Sequence, residues 1–259
     1  MKLTFLGTGT SFGVPQIGCS CDVCRSADPR DRRSRSGAVV ETSGGRRILI
    51  DTPPELRLQL IAARVSAIDV LFITHDHADH THGLDDIRSL TVHRDSPLPV
   101  YGPAEALEGL VRKFPYVFND AIKPLPGTYK PEGSARPIEA GARVTVGDLD
   151  VEAIEVPHGP TRVFGYRIGS LAYITDAKSV PPAALAQIRG VSVLSINALR
   201  HSPHPTHLSI GEAVQVARAV GAGRTYLTHL THETGHAALA AELPPGIEPA
   251  YDGLVVTIE

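Results

Sequence analysis

The segment Thr74-His75-Asp76-His77-Ala78-Asp79-His80 puts three imidazoles and two carboxylates directly behind the apolar run Asp69-Val70-Leu71-Phe72-Ile73. A hydrophobic core has no use for such a cluster, and a solvated face gains nothing from it at the end of a buried strand. Side chains two apart on an extended chain share a side, so His75 and His77 can converge on one ion. Asp79 and His80 fall where the chain turns, and offer oxygen and nitrogen to a second. Imidazole mixed with carboxylate suits zinc, manganese or iron; the bland alternative is an accidental polar loop. The chain's three cysteines, Cys19, Cys21 and Cys24, form a second concentration. An odd, tightly spaced group in a chain whose start, Met1 to Thr10, reads as strand and turn points to metal rather than disulfide. Three free buried thiols are the alternative.

These residues need elements to hold them. Strand patterns cover Leu3–Leu6, Ala38–Glu41, Arg47–Ile50, Val70–Thr74, Arg143–Val146, Val151–Val156, Val163–Ile168, Ala172–Thr175, Val191–Ile196, Thr225–Thr228 and Leu254–Ile258. Helical patterns cover Pro54–Arg64, Gly83–Arg94, Pro103–Lys113, Pro181–Arg189, Gly211–Val220 and His236–Leu243. Ser209-Ile210-Gly211-Glu212 matches a capping box, so a helix starts just after Ser209. Asn119–Pro137, rich in proline, reads as a loop. Strands outnumber helices, which suggests sheets covered by helices. With 259 residues, a net charge of −3, 42% hydrophobic and 20% charged residues, the chain is neither disordered nor a disulfide scaffold, and residues 1–259 read as one domain. No apolar run approaches the ~20 residues that span a bilayer. Near-neutral charge gives no argument for a nucleic-acid or membrane partner, and composition points to the cytoplasm.

His-x-His-x-Asp-His behind a strand resembles the signature of the metallo-β-lactamase superfamily of binuclear hydrolases. The resemblance implies an α/β fold, the αβ/βα sandwich, with two mixed β-sheets packed face to face and helices on the outer faces. It also implies a lone His, a bridging Asp and a last His at strand ends. His158 in Val156-Pro157-His158-Gly159, Asp176 in Ile174-Thr175-Asp176-Ala177 and His229 in Leu227-Thr228-His229 match, although His158 and His229 taken alone read equally as core histidines. By this resemblance one divalent ion is held by His75, His77 and His158, a second by Asp79, His80 and His229, and Asp176 bridges them. Such a pair can share a hydroxide. Asp51 matches an early structural Asp of the superfamily, with a supporting role behind the ligands.

The run Gly7-Thr8-Gly9-Thr10-Ser11-Phe12-Gly13-Val14-Pro15, leading into Gly18-Cys19-Ser20-Cys21-Asp22-Val23-Cys24, resembles the PhnP-type phosphodiesterases within that superfamily. In that branch the cysteines hold a structural zinc with a His three residues after the last catalytic His, here His232. The zinc knuckle would thus lie at 19–24. The branch also carries a His before a late helix, matched by His207, which sits two residues before the capping box and could protonate a leaving oxygen. His201 and His204 nearby read as solvated loop residues. Three other motifs carry less. Gly9–Gly13 fits G-x-S-x-G but leads into loop, Gly7-Thr8-Gly9 lacks a following helix, and His232–His236 fits H-E-x-x-H outside a helix. Arg25, Arg30, Arg32, Arg33 and Arg35 read as solvated surface, a phosphate contact being the minority reading.

Together these readings describe a metal-dependent phosphodiesterase acting on small cyclic phosphodiesters, such as ribose 1,2-cyclic phosphate or 2′,3′-cyclic nucleotides. His207 and Asp176 would be its catalytic residues, with two catalytic divalent ions (Mn or Zn) and one structural Zn as cofactors. The alternatives are a nuclease like the superfamily's tRNA 3′-end-processing members, and a thioester or lactone hydrolase on the same site. A homodimer is implied by analogy alone.

Overall fold

The computed structural model describes residues 1–259. The strands are β1 (Lys2–Gly7), β2 (Gly37–Glu41), β3 (Arg47–Ile50), β4 (Val70–Phe72), β5 (Leu98–Gly102), β6 (Gly133–Pro137), β7 (Arg143–Val146), β8 (Leu149–His158), β9 (Thr161–Ile168), β10 (Leu171–Ile174), β11 (Val193–Asn197), β12 (Arg224–Thr228), β13 (Ile247–Pro249) and β14 (Val255–Thr257). The helices are α1 (Leu56–Ala62), α2 (Ala78–Thr81), α3 (Arg88–Thr91), α4 (Ala104–Lys113), α5 (Pro115–Phe118), α6 (Pro182–Ile188), α7 (Ile210–Val220) and α8 (His236–Glu242). They build two seven-stranded mixed sheets, in the orders β14-β1-β2-β3-β4-β5-β6 and β13-β12-β11-β10-β9-β8-β7.

Alternation along the strands explains the layering. Ile48 and Ile50, like Val70 and Phe72, point between the sheets, where they meet Val151, Tyr166, Tyr173 and Val193 of the opposite sheet. The intervening Leu49 and Leu71 point outward onto Leu56, Leu60, Leu107 and Leu110 of α1 and α4. On the other sheet Leu194 and Ile196 meet residues of α6 and α7 on the outer face, among them Ile188 and Ala213. Strands buried on both faces read as near-continuous apolar runs, which is why β3 and β4 are legible in the sequence. The two sheets are also tied by polar bonds near one end: the Tyr166 hydroxyl donates to Ile73 O at 2.5 Å, and Phe164 N donates to Thr74 O at 3.0 Å. No helix is long and apolar enough to cross a membrane.

Three strands escape the sequence patterns: β5, β6 and β13. Residues 133–137 correct the reading of Asn119–Pro137 as all loop. β6 is the terminal strand of its sheet, and Pro137 is tolerated there because an edge strand need not donate on its outer side. Pro97 and Pro99 hide β5 from a strand pattern although it is an inner strand between β4 and β6, and β13 has only three residues. The helix expected over Gly83–Arg94 divides into a tight 3-10 turn at Leu84–Ile87 and the short α3, where Thr91 returns its hydroxyl to Ile87 O at 3.1 Å. The capping box is present, with Ser209 N donating to Glu212 Oε2 at 2.7 Å and Glu212 N to Ser209 Oγ at 3.3 Å, so α7 begins at Ile210.

Strands β3–β6 run parallel in one sheet and β10–β13 in the other. Their carboxyl ends therefore lie along one edge, and the backbone is laced tightly there. Thr52 N donates to His80 O at 2.7 Å and Gly83 N to Thr52 O at 2.8 Å. A Cβ on Gly83 would stand 2.0 Å from Pro53 O. Gly83→Ala is expected to destabilise the fold by about 1–3 kcal/mol, read as a fall in Tm of several degrees. An unchanged Tm would mean that this approach relaxes freely.

Candidate metal centre

The chain of His75–His80 leaves β4 in extended form and then closes into α2. His75 and His77 point to one side, their rings 4.5 Å apart centre to centre. Asp76, between them, points away and pairs with Lys113 of α4 at 3.0 Å. At the ends of four other strands stand Asp51 after β3, His158 closing β8, Asp176 behind β10 and His229 behind β12. The ligand atoms of His75, His77, His158 and Asp176 lie within 4.8 Å of one another, as do those of Asp79, His80, Asp176 and His229. Asp176 belongs to both groups. Its Oδ2 is 3.6 Å from His75 Nε2 and 3.8 Å from His158 Nε2, while its Oδ1 is 3.5 Å from His80 Nε2 and 3.3 Å from His229 Nδ1.

Hydrogen bonds from behind decide which ring nitrogen faces inward. The Asp51 carboxylate, fully buried, accepts His80 Nδ1 at 2.7 Å, Thr74 N at 2.8 Å and the Thr74 hydroxyl at 2.8 Å. The Thr74 hydroxyl, its proton given to Asp51, accepts from His75 Nδ1 at 2.9 Å. His158 Nδ1 donates to Thr206 O at 3.0 Å. Each of these rings therefore turns an unprotonated Nε2 lone pair toward the cluster, the tautomer a metal ligand needs. The Nε2 atoms of His75 and His80 are buried without a hydrogen-bond partner, and buried polar atoms without partners are rare. Two sets of imidazole and carboxylate donors with unpartnered nitrogens fit a divalent cation at each.

Electrostatics point the same way. Burial pushes the Asp176 carboxyl up, but His229, His80 and His207 hold it well below the usual carboxylate range. Burial lowers His80, yet Asp176 and Asp51 hold it well above the usual histidine range, so without a cation its Nε2 keeps a proton, in the place where a bound cation would put its own positive charge. Burial keeps His75 well below its usual range, with His80 adding to the effect, and brings His229 down to about 4. Asp51, Asp176 and His229 all adopt left-handed backbone, with φ of 62°, 57° and 58°. Such strain in non-glycine residues collects at functional sites.

Cys19, Cys21, Cys24 and His232 form a third group with ligand atoms within 4.8 Å of one another. His232 Nδ1 is 3.3 Å from Cys21 Sγ and 3.4 Å from Cys19 Sγ, and all three cysteines are free. The bond to His232, helped by the Cys24 amide, brings the Cys21 thiol down to about 6. Three sulfurs and one nitrogen make a closed set of the kind that holds structural zinc.

His207 joins the cluster as the sequence suggests, its Nε2 3.5 Å from Asp176 Oδ2. Its placement at a helix mouth has a different consequence from the one expected. The N-terminus of α7 is occupied from within the chain, Ser209 N giving to Glu212 Oε2, Glu212 N to Ser209 Oγ and Ile210 N to Arg200 O, which leaves little of it open to an anion. His204 corrects another expectation: it packs against His207 rather than facing solvent alone, with the two Nδ1 atoms 3.2 Å apart. His201 is exposed and pairs with Glu242 at 3.1 Å. His232–His236 is not a helical H-E-x-x-H, because α8 begins only at His236.

Two supporting residues were not legible. Asn197, ending β11, brackets the residue after Asp176: its Oδ1 accepts Ala177 N at 2.8 Å and its Nδ2 donates to Ala177 O at 3.0 Å. Arg33, expected on the surface, is buried. It donates to Thr231 O at 2.5 Å and Thr234 O at 2.9 Å, holding the segment that carries His232. Spacing alone distinguishes neither from an ordinary polar residue. Asp51→Asn should turn an amide N–H toward one of the donors that Asp51 now accepts, and so weaken divalent-metal binding by roughly 10–100-fold. Metal titration of the chelator-treated protein checks this. Unchanged affinity would show that His75 and His80 need no such support.

Residues 46–230 match the family model of the β-lactamase superfamily domain. The chain is 38% identical to the octanoyltransferase of Porphyromonas gingivalis, over 100% of this chain and 52% of that protein. It spans about half the length of that relative. It is also 38% identical to a crystal structure described as a new diphosphatase from the PhnP family, with a TM-score of 0.90 over 98% of this chain and 96% of that one. Zinc-bound PqqB from Methylobacterium extorquens, 19% identical and covering 100% of both chains, shares the fold with a TM-score of 0.79. With the fold and these relatives agreeing, the chain belongs to the β-lactamase superfamily, in its PhnP family.

Proposed function

We propose that the chain hydrolyses small phosphodiesters, cyclic ribose phosphates and 2′,3′-cyclic nucleotides among them, at a two-metal centre. The observation that carries this reading is Asp176, which belongs to both ligand groups and has His207 Nε2 3.5 Å from its Oδ2. His75, His77 and His158 would hold one ion and Asp79, His80 and His229 the other, with Asp176 between them; zinc or manganese suits these donors. Two such ions, when bound, acidify water and neutralise the phosphoryl oxygens.

The chain's own residues do the rest. Asp51 and Thr74 keep His80 and His75 in the ligand tautomer. His207, held by the Thr206 hydroxyl at 2.9 Å from its Nδ1, carries the proton on Nε2 and hands it to the departing oxygen as the ester bond breaks. A cleft of about 260 Å3 beside His207 has room for a small molecule. The structural zinc of the knuckle would be held by Cys19, Cys21, Cys24 and His232.

A second reading, cleavage of a P–O–P bond in an organic diphosphate, is favoured by the diphosphatase that shares 38% of this sequence. It needs the same ions and the same proton donor.

Manganese- or zinc-loaded protein should be assayed on a ribose 1,2-cyclic phosphate, a 2′,3′-cyclic nucleotide, a nucleoside diphosphate, a tRNA precursor, an octanoyl thioester and a lactone. Turnover of a cyclic phosphate is expected, with kcat reduced about 10²–10⁴-fold in His207→Ala and abolished by Asp176→Ala. Turnover of the diphosphate alone would select the second reading. Turnover of only the thioester or lactone would discard both.

A further inference from the structure

The cleft beside His207 is lined by Phe12, Gln16, Arg200, His204 and Glu233, together with His232 of the knuckle. Three features of its wall have no part in the hydrolysis described above. Phe12 stands 64% exposed on the cleft's edge and belongs to none of the hydrophobic clusters that build the core. Arg200 gives Nη1 to Glu233 Oε1 at 3.2 Å, while its Nε is enclosed without a partner. Gln16 offers a carboxamide with donors and an acceptor.

Charge tells what the wall suits. Arg200 and Glu233 cancel, so a second phosphate drawn by the guanidinium would meet a carboxylate beside it. A neutral heterocycle with acceptor and donor atoms on one edge meets both, the guanidinium through its acceptors and the carboxylate through its N–H groups. Guanine carries such a set, with O6 beside the N1–H and N2–H donors on one edge, and O6 is an acceptor that arginine pairs with well. An exposed aromatic ring supplies the remaining element, since every base has a face to stack.

We propose that this cleft is a nucleobase subsite, in which Phe12 stacks on the base and Arg200 with Glu233 reads its edge, so that the phosphate presented to the His/Asp cluster belongs to a nucleotide. The inference deepens the phosphoester reading of the site and rests on it for the placement of the phosphate. His207 joins the two, since it lines the cleft and stands 3.5 Å from Asp176. The cleft's volume, about 260 Å3, is just below the usual range of ligand pockets (roughly 300–1,000 Å3) and accommodates one ring system rather than a folded RNA.

The test is a calorimetric titration of the manganese-loaded protein with guanosine 5′-monophosphate and with ribose 5-phosphate. Neither ligand has a diester to cleave, so binding is read without turnover. The nucleotide is expected to bind about tenfold more tightly, the contribution of one stacked base. In Phe12→Ala that ratio should fall toward one, and in Phe12→Tyr it should persist. Equal affinities in the wild type, no measurable binding of either ligand, or a ratio unchanged in Phe12→Ala would overturn the subsite. A tenfold ratio in a protein that cleaves no phosphoester would keep the subsite and remove the function proposed above. Phosphoester turnover with equal affinities would remove the subsite alone.

Discussion

One buried carboxylate orders the metal centre. Asp51 has no atom exposed to water, and burial pushes its carboxyl up. A charge so placed persists only where hydrogen bonds answer it. The bonds that do so come from His80 and from both polar groups of Thr74, and through Thr74 from His75. The demand of Asp51 for donors is thereby the demand that His75 and His80 carry their protons on Nδ1. Each then turns Nε2 toward Asp176. The tautomers on which metal binding depends follow from satisfying a carboxylate that is itself no ligand.

The same edge of the fold is where the backbone is strained. Parallel strands bring their carboxyl ends together, and the chain must turn sharply at once to expose a side chain there. At Asp51, Asp176 and His229 it does so through left-handed backbone, which aspartate and histidine enter more readily than branched residues. Asn197 and the tight approach of Gly83 to Pro53 hold the neighbouring segments in register. The strain is maintained by two sheets whose shared core is continuous beneath it.

The knuckle and the His/Asp centre are parts of one arrangement rather than neighbours by accident. His229 and His232 are three residues apart, and Leu230 between them exchanges backbone bonds with Thr8 and Thr10. The cysteines follow Thr10 on the same loop. Arg33 holds the far side of that segment through Thr231 O and Thr234 O. The loop that carries the sulfurs therefore also forms one wall of the cleft, with Phe12 at its edge.

The sequence by itself determined the local spacing of the candidate ligands. His75 and His77 alternate on an extended segment, and that periodicity survives any tertiary arrangement; a capping box is equally local, and Ser209–Glu212 forms as written. Buried strands such as β3 and β4 are legible because both faces must be apolar. Packing alone decided what depends on contacts between distant segments. β5 and β6 are strands despite their prolines because neighbouring strands supply the pairing, β5 lying between β4 and β6 and β6 closing the sheet. Arg33 is buried because carbonyls about two hundred residues away accept its protons. His204 belongs to the site because the loop 200–209 closes back on itself, with Leu199 N bonded to Leu208 O. Local chemistry is written in spacing, but whether a charge is buried or a histidine faces water is set by the partners that folding brings to it.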